Sequence, residues 1–215
     1  MPASSDGIAA VVLAAGGGTR LGGGKLLLPW RGKSLLGHVV ALVAELGLVR
    51  PPIVVIGHDA EHVGRVIRKE CDAMRTAIRI VENPRWREGQ STSLKCGVEC
   101  AAASGCEELS GVMVLLGDQP RVRSETLRLL AQSHCDAVAR DATHPATAPV
   151  CSGRRGNPVI LSPLLFPKIT QLTGDRGARE ILALLGEKML GVPVDDPGIF
   201  GDVDTPEEYM SLQDE

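Results

Sequence analysis

The runs IAAVVL at residues 8–13, IVVI at 53–56 and GVMVLL at 111–116 are apolar at every position, not at every second one. A strand with one wet face alternates; a strand covered on both faces does not. Between the runs lie stretches with helical apolar spacing, at 35–46, 60–69 and 93–103. Strand and helix in alternation demand a parallel sheet with helices on both sides. The expected fold class is therefore α/β: a three-layer, doubly wound, Rossmann-like arrangement around a mostly parallel central sheet. In such sheets ligands bind at the carboxyl ends of the strands.

The remaining elements follow from local signals. Strands are expected at 77–81, 137–139, 158–161 and 189–194. Ser124 is positioned to cap a helix over 125–132, and Ser162-Pro163 to open another. Asp175 either caps a helix over 179–185 or serves a site. Thr205-Pro206-Glu207-Glu208 reads as a capping box with proline at the first helical position. Residues 141–157, rich in Pro, Gly and Arg, read as an irregular arm forming a pocket wall, within one domain spanning 1–215.

Composition narrows the function. The net charge is −3 and the aromatics are two Trp, one Tyr and two Phe. No basic face for a polyanion and no aromatic platforms for stacked bases are available, so nucleic acid is not an expected partner. No apolar run reaches the ~18 residues of a membrane span, and residues 1–7 lack the basic and apolar regions of a secretion signal. Cys71, Cys96, Cys100, Cys106, Cys135 and Cys151 form no C-x-x-C pair and read as buried reduced thiols. A cytoplasmic location is the expectation. His58 and His62 have metal-ligand spacing, but no Glu follows His58 directly, so no zinc-protease motif is present.

Two segments carry chemistry. Residues 13–25 read Leu-Ala-Ala-Gly-Gly-Gly-Thr-Arg-Leu-Gly-Gly-Gly-Lys, directly after the first strand. A glycine loop there can wrap backbone N–H groups around a phosphate chain, with Arg20 and Lys25 neutralising it. It is not a P-loop, because Thr19 stands where the first glycine belongs and Leu26 follows Lys25. Nor is it a dinucleotide fingerprint counted from Gly16, because Leu21 replaces the third glycine. The second segment is Gly117-Asp118-Gln119-Pro120, after the strand at 111–116. A carboxylate at a strand end opposite a phosphate loop is placed to hold Mg²⁺.

With the late Asp202-Val203-Asp204-Thr205-Pro206-Glu207-Glu208, these segments resemble the nucleotidyltransferases of the molybdenum cofactor, and most closely the molybdenum cofactor cytidylyltransferases. Further matching segments are 89–95 (GQSTSLK), 153–158 (GRRGNP) and 174–179 (GDRGAR). The chain departs at Asn157, where many relatives have His, and at Gly22 to Gly24.

The resemblance implies attack of a molybdopterin phosphate on the α-phosphate of CTP, with pyrophosphate leaving and Mg²⁺ as cofactor. It implies a nucleotide site at Leu13, Ala14, Ala15, Gly16, Gly18 and Gly117, with Gly89 and Ser93 in the stretch that reads the base. Lys25 would stabilise the transferred phosphoryl and Arg20 the pyrophosphate, and Asp118 would hold the metal. Asp202 or Asp204 would supply a second metal ligand, Asp204 fitting a turn beside Thr205 equally well. Arg154, Arg155, Arg176 and Arg179 would grip the acceptor, which makes residues 141–157 an acceptor-side arm. Cytidine users of the family carry Ala-Ala-Gly where guanosine users carry Ala-Gly-Gly, and this chain has Ala14-Ala15-Gly16. The alternatives are GTP as donor, a sugar phosphate or methylerythritol phosphate as acceptor, or a non-catalytic cofactor carrier serving a molybdenum hydroxylase.

Overall fold

The computed structural model describes residues 7–18, 24–103 and 109–214, and only the backbone of Arg176. The first half contains β1 (Ile8–Ala14), the short strands β2 (Pro29–Trp30) and β3 (Lys33–Ser34), α1 (Leu35–Ala44), β4 (Ile53–Ile56), α2 (Ala60–Met74), β5 (Arg79–Glu82) and α3 (Gln90–Ala102). The second half contains β6 (Gly111–Leu116), α4 (Ser124–Arg140), β7 (Ala146–Cys151), β8 (Arg154–Arg155), β9 (Val159–Leu161), α5 (Phe166–Ile169), α6 (Ala178–Leu185), β10 (Leu190–Pro193) and α7 (Pro206–Gln213).

The main sheet runs β10-β7-β9-β6-β1-β4-β5, with β8 paired to β7. Pairs β6–β1, β1–β4, β4–β5 and β7–β10 are parallel, and β9 is antiparallel to both neighbours. The expected α/β class with a mostly parallel sheet is what the chain adopts. Successive residues of β1 serve opposite layers. Ala10, Val12 and Ala14 pack with α1, α2 and α4, whereas Ala9 and Val11 pack with α3 and α5. That is why the strand is apolar throughout. Gly97 lets α3 press onto the sheet, since a Cβ there would stand 2.4 Å from Val11 Cγ1. The amino end of α3 is thereby brought to the carboxyl edge of the sheet.

Helix α7 returns the carboxyl-terminal end to that same edge. Trp30 Nε1 donates to Leu212 O at 2.9 Å, and Tyr209 Oη and Gln213 Nε2 donate to Pro29 O at 2.6 and 2.7 Å. The capping box at Thr205 and Glu208 is formed.

Four sequence expectations need correction. Residues 137–139 are helical, because α4 continues its buried face through Leu127, Leu130, Ala131, His134 and Cys135 without a breaker before Asp141. Residues 141–157 are not irregular. They carry β7 inside the main sheet and the β7–β8 hairpin. Ala146, Ala148 and Pro149 are weak strand markers, and pairing with β9 and β10 overrides them. Asp175 caps nothing; α6 starts after Gly177 with no side-chain cap, and Asp175 faces the cleft described below. Ser124 is the first helical residue of α4, one step inside the cap expected there.

Cys71, Cys96, Cys100, Cys135 and Cys151 are in no disulfide, and Cys106 lies outside the described residues. No helix among the described residues is long and apolar enough to cross a membrane.

His134 is fully buried between α4 and β7. Its Nε2 faces the Ser110 carbonyl at 3.1 Å and must donate, so its Nδ1 accepts from Thr147 Oγ1 at 3.0 Å. Burial lowers its pKa from 6.5 to about 4, against the opposing Ser110 bond. Between those values the unfolded chain binds a proton that the folded chain does not, so stability falls as pH drops. A loss on the order of 2 kcal/mol is expected between pH 7 and pH 5. Denaturant unfolding across that range checks it; a flat profile contradicts a buried neutral ring.

Candidate active site

β1 and β6 are adjacent and parallel, with Leu13 opposite Leu116. Both therefore end at one place, and the two chemistry-bearing loops follow there. Gly117 N donates to Leu13 O at 2.9 Å, and His58 N donates to Ala15 O at 3.0 Å. Close approach requires glycine at Gly57, where a Cβ would meet Ala15 Cβ at 2.9 Å and Trp86 Cβ at 2.6 Å. Gly18, at φ +54°, lies on the stem of Lys25; a Cβ there would be 2.9 Å from Lys25 Cγ. The result is a cleft of about 750 Å³ whose wall includes Leu13, Ala14, Ala15, Gly16, Gly18, Lys25, Ser93, Asp118, Asp202 and Asp204. Gly117 and Gly89 are not among its lining residues, and Arg20 lies outside the described residues.

Charge concentrates at the floor. Lys25 is only 9% exposed, and its Nζ lies 2.6 Å from Asp118 Oδ2 and 2.5 Å from Asp204 Oδ1. Burial pulls the Lys25 pKa down, but attraction and hydrogen bonds to Asp118 and Asp204 outweigh it, and the net shift is upward from 10.5. Lys25 is thus a permanent cation at physiological pH. Asp118 O accepts from Val203 N at 3.0 Å, which brings Asp202 and Asp204 to either side. Gln119 Nε2 donates to Asp202 Oδ1. Burial, then the neighbouring Asp118 and Asp204 charges, push the Asp202 pKa up despite that bond.

Three carboxylates around one ammonium leave negative charge that a divalent cation can balance. Among the described residues no set of three His, Cys, Asp or Glu closes around one point. That suits a hard cation held by one or two carboxylates and completed by phosphate oxygens and water.

At the other end of the cleft, Gly89 precedes α3 at φ +108°, and a Cβ there would be 2.3 Å from Gly174 C. Trp86, Arg87 and Gln90 line this end; Gln90 belongs to the matching segment 89–95, and Trp86 and Arg87 were not singled out from the sequence. Trp86 stands edge-on to His58 with ring centroids 5.1 Å apart, and Arg87 lies 4.4 Å from the Trp86 ring centre. The one sequence signal of Trp86 and Arg87 is position: they lie in the connection between a strand's carboxyl end and the next helix.

A second cavity of about 600 Å³ adjoins the first through Arg179 and Asp202, which line both. Arg154, Arg155 and Asn157 line it too, and the Arg154 guanidinium sits 4.7 Å from the Phe200 ring centre. The β7–β8 hairpin supplies the two arginines.

A parallel sheet whose glycine loop faces a Lys–Asp cluster defines the class: a nucleotidyltransferase. Residues 10–189 match the family described as MobA-like NTP transferase domain, and the chain belongs to that family. It is 30% identical over 203 residues to the purine catabolism protein PucB of Bacillus subtilis (strain 168), covering 93% of this chain and 92% of the relative. It is 30% identical over 207 residues to the nicotine blue oxidoreductase of Paenarthrobacter nicotinovorans, covering 95% and 96%. Among solved structures, a nucleotidyl transferase from Methanothermobacter thermautotroptrophicus superposes with a TM-score of 0.73 at 25% identity, covering 96% of both chains. Rv0371c of Mycobacterium tuberculosis H37Rv in complex with manganese superposes at 0.71 and 26% identity, covering 97% of this chain and 98% of that one.

Two glycines separate fold from site. Gly16 has open space where a Cβ would go. Gly16→Ala should change stability by less than about 0.5 kcal/mol while weakening nucleotide binding by intruding on the cleft. Gly89→Ala should cost about 2 kcal/mol or more through its backbone conformation and the Gly174 clash. Chemical denaturation and nucleotide titration of both variants check this; equal stability losses contradict it.

Proposed function

We propose that this nucleotidyltransferase moves CMP from CTP to the terminal phosphate of molybdopterin and releases pyrophosphate. One observation carries the reading: the nucleotide cleft meets an arginine-lined cavity at Asp202 and Arg179, so a donor and an anionic acceptor can meet beside Lys25 and Asp118. Guanidinium forks suit a phosphate, and the Arg154–Phe200 pair offers a flat surface for a planar ring system. Ala15 contributes a Cβ to the cleft wall where a two-ring base needs room, which favours cytidine over guanosine. In this reading the product serves a molybdenum hydroxylase in the cytoplasm.

The acceptor phosphate is mostly a dianion at neutral pH, with a second pKa near ~6, so no general base is needed. Its oxygen forms a bond to the α-phosphorus as the bond to the β-phosphate oxygen breaks. The backbone N–H groups of residues 15–18 hold the triphosphate. Lys25 exchanges its carboxylate partners for the phosphoryl oxygens, where negative charge shifts during transfer. Arg154, Arg155 and Arg179 align the acceptor, and the role of Arg20 is to meet the departing pyrophosphate. Mg²⁺, held by Asp118 with Asp202 or Asp204, would supply charge neutralisation across the phosphates.

Steady-state kinetics with molybdopterin as acceptor tests the reading. Wild type is expected to favour CTP over GTP in kcat/KM. Asp118→Ala should lose more than ~100-fold in kcat with its fold intact, and Lys25→Ala should lower kcat more than it raises the KM for nucleotide. A preference for GTP overturns the cytidylyl assignment, and an Asp118→Ala variant retaining a tenth of the activity overturns the role of that carboxylate.

A further inference from the structure

Gln119 follows Asp118 in the loop after β6 and is 3% exposed. It lines the arginine cavity with Arg154, Arg155, Asn157, Arg179 and Asp202. Its Nε2 donates to Asp202 Oδ1, and Ile199 O lies 3.5 Å from the same nitrogen. A peptide carbonyl oxygen only accepts, so the nitrogen faces these two oxygens and the amide has one orientation. Among the described residues, Gln119 makes its side-chain hydrogen bonds through Nε2, which leaves Oε1 to the cavity.

The segment that fixes Nε2 is itself held. Asp196 is 1% exposed and accepts from Arg123 N at 2.9 Å, Thr126 Oγ1 at 2.6 Å and Gly198 N at 3.0 Å. Ile199 is fully buried, and its carbonyl also accepts from Asn157 N at 3.0 Å. A Cβ on Gly156 would stand 2.5 Å from Ile199 Cγ1, so the hairpin presses on the same residue. Gln119 is therefore braced before any ligand arrives, and binding carries little cost for ordering it.

Arginine side chains only donate. Arg154, Arg155 and Arg179 thus match the phosphate of an acceptor and leave its ring unread. Asp202 is committed to Gln119 and, in the proposed reading, to the metal. The neutral Oε1 asks for the opposite partner, a donor. A ligand that fills the cavity displaces water from this oxygen and must bring an N–H or O–H in its place.

We infer that Gln119 is a specificity-determining residue for the acceptor: its Oε1 accepts from an N–H on the acceptor's ring, so that the cavity takes a phosphomonoester carried by a nitrogen-bearing ring. This rests on the molybdopterin reading and deepens it. A pterin carries N–H groups at its edge. An apolar ring of the same shape leaves a buried oxygen unpaired, which is the stronger kind of discrimination.

Calorimetric titration of pterinylmethyl phosphate and naphthylmethyl phosphate, without nucleotide or metal, tests this on wild type and Gln119→Met. Both ligands bring a phosphomonoester and a flat two-ring system, and only the pterin brings ring N–H groups. Met is close to Gln in length and has no carbonyl. Wild type is expected to bind the pterin about tenfold or more tightly than the naphthyl compound, and Gln119→Met to lose about tenfold of that ratio. Loss of the Asp202 bond acts on both ligands alike and cancels in the ratio, so a merely structural role would leave it unmoved. Wild type binding the two equally overturns the inference without any variant, and Gln119→Leu gives the same readout if Gln119→Met does not fold. Wild type binding neither overturns the acceptor reading and this inference with it; a pterin preference that survives in Gln119→Met or Gln119→Leu overturns the inference alone.

Discussion

The Lys25 ammonium sits between the carboxylates of Asp118 and Asp204, and three distant stretches of chain must be in place for that to happen. Lys25 follows the glycine loop, Asp118 follows β6, and Asp204 precedes α7. Burying such a group is expensive, and buried ion pairs are weak sources of net stability. The cluster makes sense as charge organised in advance of a reaction that moves negative charge about. The rest of the architecture serves it. Parallel pairing of β1 and β6 brings the first two stretches together, and the docking of α7 on Pro29 and Trp30 supplies the third.

The same sheet explains how two substrates can meet. β9 runs antiparallel between β6 and β7, and its neighbour β7 turns back through β8 to present Arg154 and Arg155. The cleft beside Lys25 belongs to the parallel half and the arginine cavity to the half that contains β9. Asp202 and Arg179 line both, and in the proposed reading they flank the path of the transferred group. In the proposed reading, the side of the molecule that sequence patterning described worst is the side that holds the acceptor.

What could be read from sequence follows a physical division. β1, β4 and β6 are buried on both faces, and their unbroken apolar runs are legible without any structure. Gly16, Gly18, Lys25 and Asp118 follow from a glycine loop and a carboxylate at strand ends. β7 was hidden because Ala146, Ala148 and Pro149 owe their extended form to pairing, not propensity. The end of α4 was misread as a strand because Ala137, Val138 and Ala139 look apolar in isolation, while the helical face they extend is visible only over the longer window from Leu127.

The central claim is that this cluster transfers a nucleotidyl group, breaking the bond between the α- and β-phosphates. α-Labelled CTP, incubated with the protein, Mg²⁺ and molybdopterin, tests it directly. The account predicts label on the acceptor, with one unlabelled pyrophosphate released for each labelled product. Label appearing as free CMP whether or not acceptor is present, or remaining in CDP after transfer of the terminal phosphate, would contradict it.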